Sequence, residues 1–283
     1  MKKQLSAVLV VLILTSFACS IQNFQMKTIE TEQLYVSEML PGNAERTELF
    51  FKMVGGEFIL KPDADGLING TISYNVQLWE PKFTRLENYF AIEQVNPYRI
   101  TGLPSEKTIN DWDLSLTTAI PLDLSIEGGA SKNTYDFTGL QLTRLNVVQG
   151  ASETTIRFDA PNPITMREFI FTTGASSAEL IGLANANFES LSMSSGAGDY
   201  TLDFSGTLIQ DASVTIKSGV SNLTLIIPAG MKAVINNNGA LSNINTRGAW
   251  VVNDKTYTTE SEGATLTIDL EMALGNINLI HGD

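Results

Sequence analysis

Three serines, Ser131, Ser152 and Ser176, each follow a Gly-Ala pair. A serine held at a glycine corner can act as a nucleophile when a histidine takes its proton. The only histidine is His281, the third residue from the end, so such a site would have to be built on a chain terminus. A nucleophile is needed once, whereas a turn residue is needed in every repeat. We therefore predict that the serines are turn residues and that the chain has no catalytic residue.

Carboxylates and arginines support an alternative interpretation. Asp199 and Asp203 fall on one side of a predicted strand, Asp211 follows in the next connection, and Arg157 and Arg167 belong to neighbouring repeats. Solenoid enzymes that cut acidic polysaccharides use carboxylates and an arginine on one outer sheet. An acidic, solvated face has the same composition. A polysaccharide-active β-helix enzyme remains the alternative that such a pattern allows.

Metal and cofactor sites are not indicated. One cysteine and one histidine exclude sites built from several such ligands. Asp63, Asp65 and Gly66 resemble half of a calcium loop, but the third acidic position and the distant glutamate are missing. No phosphate loop or dinucleotide fingerprint is present. We expect no metal and no cofactor.

A ligand could instead bind between two parts of the chain. Trp79, Tyr89, Tyr98 and Trp112 lie near a predicted junction. Aromatic side chains at such a seam could hold a lipid or a cell-wall fragment, although tryptophan is more often buried. This binder is the second alternative.

A glycine that returns every 20 to 24 residues organises the rest of the sequence. An apolar residue stands five positions before each glycine, and another stands three before it in all but the last case, where Asn236 takes its place. That spacing has period two, which is typical of a strand. The six glycines are Gly129, Gly150, Gly174, Gly196, Gly219 and Gly239, and the apolar residues five before them are Leu124, Leu145, Phe169, Leu191, Val214 and Val234.

The repeated unit is a strand, a glycine corner and a second strand. One unit of about 22 residues cannot bury its own apolar face, so units must stack. Glycine suits a corner because it reaches positive φ without a steric penalty. An antiparallel sandwich also turns at glycine, but it seldom keeps the same offsets at every turn. We predict an all-β fold, a right-handed β-solenoid of about six to seven rungs preceded by a smaller N-terminal β domain.

The composition and the positions of proline and glycine predict four segments: a signal peptide over residues 1–18, a tether over 19–45, the N-terminal β domain over 46–109 and the solenoid over 110–283. Around Gly55 and Gly56, apolar residues 49–60 predict a hairpin or a first rung. A connector with Pro97, Gly102 and Pro104 marks the boundary. The tail beyond residue 264 alternates cleanly, and we expect it to cap the column.

The start of the chain predicts export. Lys2 and Lys3 precede an apolar run over residues 7–14, which is too short to span a bilayer. Cys19, the only cysteine, directly follows the predicted cleavage point, where a lipoprotein is acylated. Ordinary cleavage after Ala18 is the alternative. We expect an exported protein that is anchored through Cys19 to the membrane and faces outside the cytoplasm.

The net charge limits the classes of molecule that the protein could bind. The chain carries 18 Lys and Arg against 31 Asp and Glu, a net charge of −13. Nucleic acid and anionic lipid headgroups need a basic face, so we expect no nucleic-acid partner.

Several phrases of the sequence resemble one known family. They are VGGEFIL and DGLINGTISYNVQLWEPKF within residues 54–83, NDWDLSLTTAIPLDLSIEGGAS at 110–131, FTGLQLTRLNVVQGAS at 137–152 and GAGDYTLDFSG at 196–206. Together they resemble the toast-rack family of bacterial extracytoplasmic proteins. The resemblance implies an N-terminal β domain followed by a stacked-strand solenoid. It also implies a role in the cell envelope, in stress signalling or as a candidate adhesin, with no established activity.

The most economical hypothesis is a non-enzymatic envelope lipoprotein that acts as a structural or interaction module. Its expected partners are the membrane, through the lipid anchor, and an unidentified envelope protein or cell-wall component.

Overall fold

The computed structural model describes residues 26–42, 46–94 and 104–282, which form the all-β solenoid that the sequence predicts. Two short 3-10 turns, Gln77–Trp79 and Leu183–Ala186, are the described helical elements. The strands are β1 (Glu32–Glu38), β2 (Thr47–Lys61), β3 (Ile68–Tyr74), β4 (Lys82–Leu86), β5 (Tyr89–Glu93), β6 (Asn110–Leu116), β7 (Pro121–Asp136), β8 (Gln141–Gln149), β9 (Ser152–Arg157), β10 (Met166–Ile181), β11 (Phe188–Asp203), β12 (Ala212–Ile227), β13 (Lys232–Asn237), β14 (Leu241–Arg247), β15 (Val251–Asn253), β16 (Thr256–Thr258) and β17 (Thr265–His281).

The long strands stack as parallel rungs. From one end to the other the order is β2, β7, β8 with β9, β10, β11, β12, β17, and β13 with β14. Below β2, β5 pairs with its first part and β6 with its second part, both in parallel. Antiparallel strands finish the ends, with β4, β3 and β1 at one end and β16 and β15 at the other.

Each rung bends near its middle, so the stack has two sheets. In β10, Phe169 and Phe171 are buried before Gly174, whereas Ala178 and Leu180 are buried after it. The inward-facing phase therefore shifts from odd to even numbers at the bend, because a straight strand would keep one phase throughout. We call the parts before the bend the first sheet and those after it the second sheet.

A single hydrophobic core runs along the whole stack. The position five before the bend is buried in every rung and aligned by register: Leu49, Leu124, Leu145, Phe169, Leu191, Val214, Ile268 and Ile235. Full burial of one such side chain contributes about 1.5–3 kcal/mol, and each rung supplies apolar surface to both neighbours. β2 is thus a first rung directly below β7, and its buried residues belong to the same core as those of the other rungs. The proposed division of domains at residues 109 and 110 stays a prediction.

The end of the chain does not cap the column, which corrects the expectation from the sequence. β17 lies between β12 and the rung of β13 and β14, pairing with β12 over 15 residues from Ala212 to Ile227 except at the bend. The terminal rung is β13 and β14, whose first-sheet end is covered by β16. Pairing between strands that are not consecutive leaves no mark on local spacing, so the repeat alone could not reveal this insertion.

Buried asparagines satisfy the backbone where the rungs are joined. The Asn162 side chain is buried and accepts a hydrogen bond from Leu142 N at 3.1 Å. Its Nδ2 donates to Leu142 O at 2.8 Å and to Ala186 O at 3.3 Å, so one side chain ties three successive rungs together.

Replacing Asn162→Ala is expected to lower the free energy of unfolding by about 2–3 kcal/mol, because three buried backbone groups lose their partner. Urea unfolding followed by circular dichroism measures the loss. Asn88→Ala, at an exposed turn, is the control and should stay within about 0.5 kcal/mol of the parent chain. Equal stability of the two variants would contradict the bracing role of Asn162.

Candidate functional site

Five of the repeated glycines lie one above another at the bend. A Cβ on Gly150, Gly174 or Gly196 would come within 2.8–2.9 Å of the carbonyl oxygen of the glycine one rung earlier. On Gly219 the distance is 2.5 Å, and on Gly129 a Cβ would lie 2.0 Å from Val54 O. None of them has positive φ, so the reason expected from the sequence is wrong. Glycine is required here because successive backbones approach too closely for any side chain.

The sixth repeated glycine is not part of this column. β17 places Ala273 at the column position above Gly219, and register puts Ala240 above Ala273. Gly239 sits one residue earlier, beside Met272 O at 2.9 Å from its ideal Cβ. The buried residue of this rung is accordingly Ile235, one position later than the Val234 expected from the spacing.

Two depressions lie beside the ends of this glycine column, and together we call them the glycine groove. Its N-terminal part has a volume of about 330 Å³ and lies beside Lys52, Glu127 and Gly129. Its C-terminal part, about 590 Å³, crosses the rungs of β10, β11, β12, β17 and the β13–β14 connection. The C-terminal part is lined by Thr172, Thr173, Ser194, Ser195, Lys217, Ser218, Gly219, Asn238, Gly239, Ala240, Glu271, Met272 and Ala273.

Hydroxyl groups and ion pairs give the glycine groove its chemistry. Ser195 Oγ donates to Ser218 Oγ at 2.8 Å across neighbouring rungs. Lys217 Nζ lies 3.2 Å from Glu271 in the C-terminal part. In the N-terminal part Lys52 Nζ lies 2.7 Å from Glu127, and this hydrogen bond raises the pKa of Lys52 above its usual range. The groove thus offers donors and acceptors for binding, spaced by the rungs at about 4.8 Å.

A row of small and apolar residues lies beside the glycine column, one position after each bend. Ala175, Ala197 and Val220 are aligned by register with Leu274 and Leu241. Val220, Leu274 and Leu241 are exposed, so the row becomes larger and more apolar towards the C-terminal end of the stack.

The three Gly-Ala serines are buried or half-buried just after the bend, and two of them, Ser131 and Ser176, bond to residues that stand before a bend. Ser131 is buried, and its Oγ donates to Gln149 Oε1 at 3.1 Å. Ser176 Oγ is hydrogen-bonded to Thr173 Oγ1. Ser152 Oγ accepts a hydrogen bond from Thr154 at 3.3 Å. His281 lies at the far end of the stack, where its Nδ1 contacts Ala249 O at 2.8 Å. No described histidine therefore lies beside these serines.

The carboxylates and arginines of the enzyme alternative are not brought together. On the second sheet, Asp199 accepts a hydrogen bond from Asn222 at 2.8 Å. Asp203 accepts one from Ser205 N, and Asp211 accepts one from Thr265 N at 2.7 Å. On the same sheet, Arg157 lies 3.5 Å from Asp159. Arg167 belongs to the first sheet, one residue into β10. The contacts of these carboxylates and of Arg157 thus hold one rung to another or stay within a connection.

The two tryptophans of the aromatic seam belong to the core. Trp79 and Trp112 are buried, and Trp112 packs edge-on against Phe58 with ring centroids 5.2 Å apart. Tyr89 is half-buried on the first sheet. Tyr98 lies outside the described residues, as do the signal peptide, Cys19 and the connector glycine and proline before Pro104.

A buried amide pair near this seam was not anticipated from the sequence. Gln94 and Asn110 are both buried, and their side chains exchange hydrogen bonds at 2.7 and 2.9 Å. Gln94 also accepts a hydrogen bond from Val54 N, and Asn110 donates to Gly55 O. They satisfy the backbone where β2 bends. Isolated Gln and Asn have no spacing signal, so the sequence could not indicate this role.

One carboxylate on the outer side of the first sheet is partly desolvated. Asp123 lies in a 350 Å³ depression with Glu48, Tyr89 and Arg144. Burial raises the pKa of the Asp123 carboxyl above its usual range, although Arg144 and Arg46 act in the opposite direction. Arg144 is paired with Glu168 at 3.0 Å, so its guanidinium is shared between rungs.

The residues that resemble half of a calcium loop lie between β2 and β3. Asp63 has φ 72° at a turn, and Asp65 N donates to Asn69. No group of three His, Cys, Asp or Glu residues in residues 26–42, 46–94 and 104–282 could hold a metal ion. The same ranges contain no helix long and apolar enough to cross a membrane.

Comparison with known proteins gives one family and several similar folds. The model for the N-terminal domain of toast_rack, a domain of unknown function, matches residues 21–167 and 161–226. A solved structure of a candidate cell adhesion protein from Clostridium sporogenes is similar over 90% of this chain and 100% of its own, with 19% identity and a TM-score of 0.49. A candidate adhesin from Bacteroides fragilis is similar over 90% of this chain and 99% of its own, with 11% identity and a TM-score of 0.34. No curated protein matches the sequence.

Proposed function

Since the chain belongs to the toast-rack family, with the family's N-terminal domain matching most of its length, we propose that it is a non-enzymatic module of the bacterial cell envelope. In this proposal the protein is exported, is anchored to the membrane by a lipid on Cys19, and acts by binding an envelope component as an adhesin or stress-response accessory.

The glycine groove is the observation that supports a binding role. Its C-terminal part crosses several rungs, and hydroxyl groups recur there on β10, β11 and β12 at the spacing of the strands. The candidate catalytic residues instead have structural partners: Ser131 and Ser176 bond across the bend, and Asp199 bonds to Asn222 on the next rung. A repeating polar groove suits a polymer such as a cell-wall glycan, because equivalent groups recur along both molecules.

Binding at the glycine groove can be tested by co-sedimentation with purified cell-wall glycan. Ser194→Trp places a large ring in the C-terminal part of the groove and is expected to reduce the bound fraction at least tenfold. Thr224→Trp, half-exposed on the second sheet, is the matched control and should bind as the parent chain does. Equal loss in both variants, or no binding by the parent chain, would count against the groove as the binding surface.

The non-enzymatic part of the proposal has its own test. We expect no product when the purified chain is incubated with acidic polysaccharides. Product that accumulates in proportion to protein, and disappears in Asp199→Asn, would favour the polysaccharide-active alternative.

The lipid anchor is tested by Cys19→Ser. The variant is expected to move from the membrane fraction to the soluble exported fraction, because the acylated sulfur is lost. Ser20→Ala, one residue later, is the control and should stay with the membrane. If Cys19→Ser remains membrane-bound, the anchor is wrong, and the binding role is unaffected.

A further inference from the structure

The last strand of the second sheet has one unpaired edge. Within the described ranges β14 pairs with β17 only. After the bend, Gly282 N donates to Ile227 O, so even-numbered residues in this part of β17 direct their backbone groups towards β12. Backbone groups alternate in direction along a strand, so odd-numbered residues such as Ile277 face β14, and the register then bonds Asn243 and Asn245 to β17. The main-chain groups of Ser242, Ile244 and Thr246 therefore face the free edge.

The other sheet edges differ from this one. β1 carries a glutamate at each end, and β4 carries Lys82 and Arg85. β15 is only three residues long. Short or charged edge strands are the usual protection against pairing with another chain. β14 is seven residues long and contains no carboxylate and no proline, and its one charge is Arg247 at the last position, so the rest of the strand lacks these protections.

Rows of hydrogen-bonded side-chain amides cross the second sheet and reach this edge. Asn276 Nδ2 donates to Asn222 Oδ1 at 2.9 Å, and Asn222 Nδ2 donates to Asp199 at 2.8 Å. Register places Asn243 next in that row. In the second row Asn245 Nδ2 donates to Asn278 Oδ1 at 3.3 Å. An amide carries both donors and an acceptor, so a row that ends in an amide can be extended by another amide.

We propose that this edge pairs with the same edge of a second copy of the chain. The two β14 strands would run antiparallel about a two-fold axis, joining the second sheets of the two copies end to end. With the axis at Ile244, Asn243 lies opposite Asn245 of the second copy, and the amide rows continue across the interface. Such an interface is closed, so association stops at the dimer.

Charge and exposure favour a second copy as the occupant. The protein has a net charge of −13 and repels itself over most of its surface, but β14 carries no carboxylate. Leu241 is 71% exposed at the start of this strand, beside exposed Leu274 on β17. A symmetric pairing covers this apolar side chain twice, once on each copy.

Light scattering coupled to gel filtration of the mature chain tests the proposal, with a dimer mass as the expected result. Thr246→Pro removes only an N–H that faces the free edge, and Leu241→Lys places a charge on this strand. Both variants are expected to be monomers. Leu86→Lys, 69% exposed on β4 at the opposite end of the stack, is the matched control and should remain a dimer.

Three results would overturn the proposal. They are a parent chain that stays monomeric at its highest soluble concentration, a dimer that persists in both β14 variants, and growth into open fibres. Fibres would indicate pairing of β14 with a different edge. Far-ultraviolet circular dichroism and urea unfolding of each variant establish that it has folded, so that loss of the dimer is not loss of the protein. If Thr246→Pro fails to fold, Leu241→Lys decides alone.

Discussion

Alanine at position 129 is expected to lower the free energy of unfolding by about 4 kcal/mol, a large loss for one added methyl group. The new Cβ would lie 2.0 Å from Val54 O, and both the glycine and the carbonyl belong to stacked backbones that cannot move apart without breaking the ladder between β2 and β7. Urea unfolding followed by circular dichroism measures this loss.

The same substitution along the glycine column should give a graded series. Gly219→Ala, with a Cβ distance of 2.5 Å, is expected to lose less than Gly129→Ala. Gly174→Ala, at 2.9 Å, is expected to lose only about 1 kcal/mol. Gly42→Ala has no atom within 4 Å of its Cβ and serves as the control, which should be unchanged or slightly stabilised. Losses that do not follow the distances would contradict close stacking as the reason for glycine.

An aspartate at position 191 should unfold more than its own rung. Leu191 is 1% exposed and lies between Phe169 on β10 and Val214 on β12. A carboxylate there has no partner in an apolar core, and the lost packing adds to the cost, so we expect a destabilisation of more than about 4 kcal/mol. Hydrogen exchange is expected to show lost protection in β10 and β12 as well as β11.

Ser192→Asp is the matched control for this experiment. Ser192 is the next residue on the same strand and faces outward, so its aspartate is solvated and protection should be retained in all three rungs. If Leu191→Asp loses protection in β11 alone, neighbouring rungs do not depend on one another and the shared core has been misinterpreted.

The stacking of rungs could be predicted because each repeat keeps the same spacing between its buried apolar residue and its glycine. Leu124, Leu145, Phe169, Leu191 and Val214 stand five residues before a glycine and are aligned in the structure. The order of the last rungs could not be predicted, because β17 pairs with β12 across a gap of about 50 residues that no local pattern records. Counting Gly239 as the next corner followed from assuming that rungs stack in chain order.

Only part of the role of the repeated glycines could be predicted from the sequence. Their spacing marked the bends, but the physical reason differs from the one expected, since close approach of neighbouring backbones is a property of the stack and not of one turn. The glycine groove could not be predicted either, because residues from several rungs line its two parts and no single residue indicates it. The amide pair of Gln94 and Asn110 was missed for a related reason, because its partners are distant in sequence.

The late position of β17 in the chain has a consequence for how the molecule is completed. A protein exported from its N-terminus presents β12 before β17 has crossed, so the upper side of β12 stays uncovered while β13 and β14 emerge without their neighbour. Joining them requires closure of a long loop, which is slow compared with adding the next rung in order. Until the final seventeen-residue strand has paired, the finished rungs therefore end in an open edge that another emerging chain could occupy.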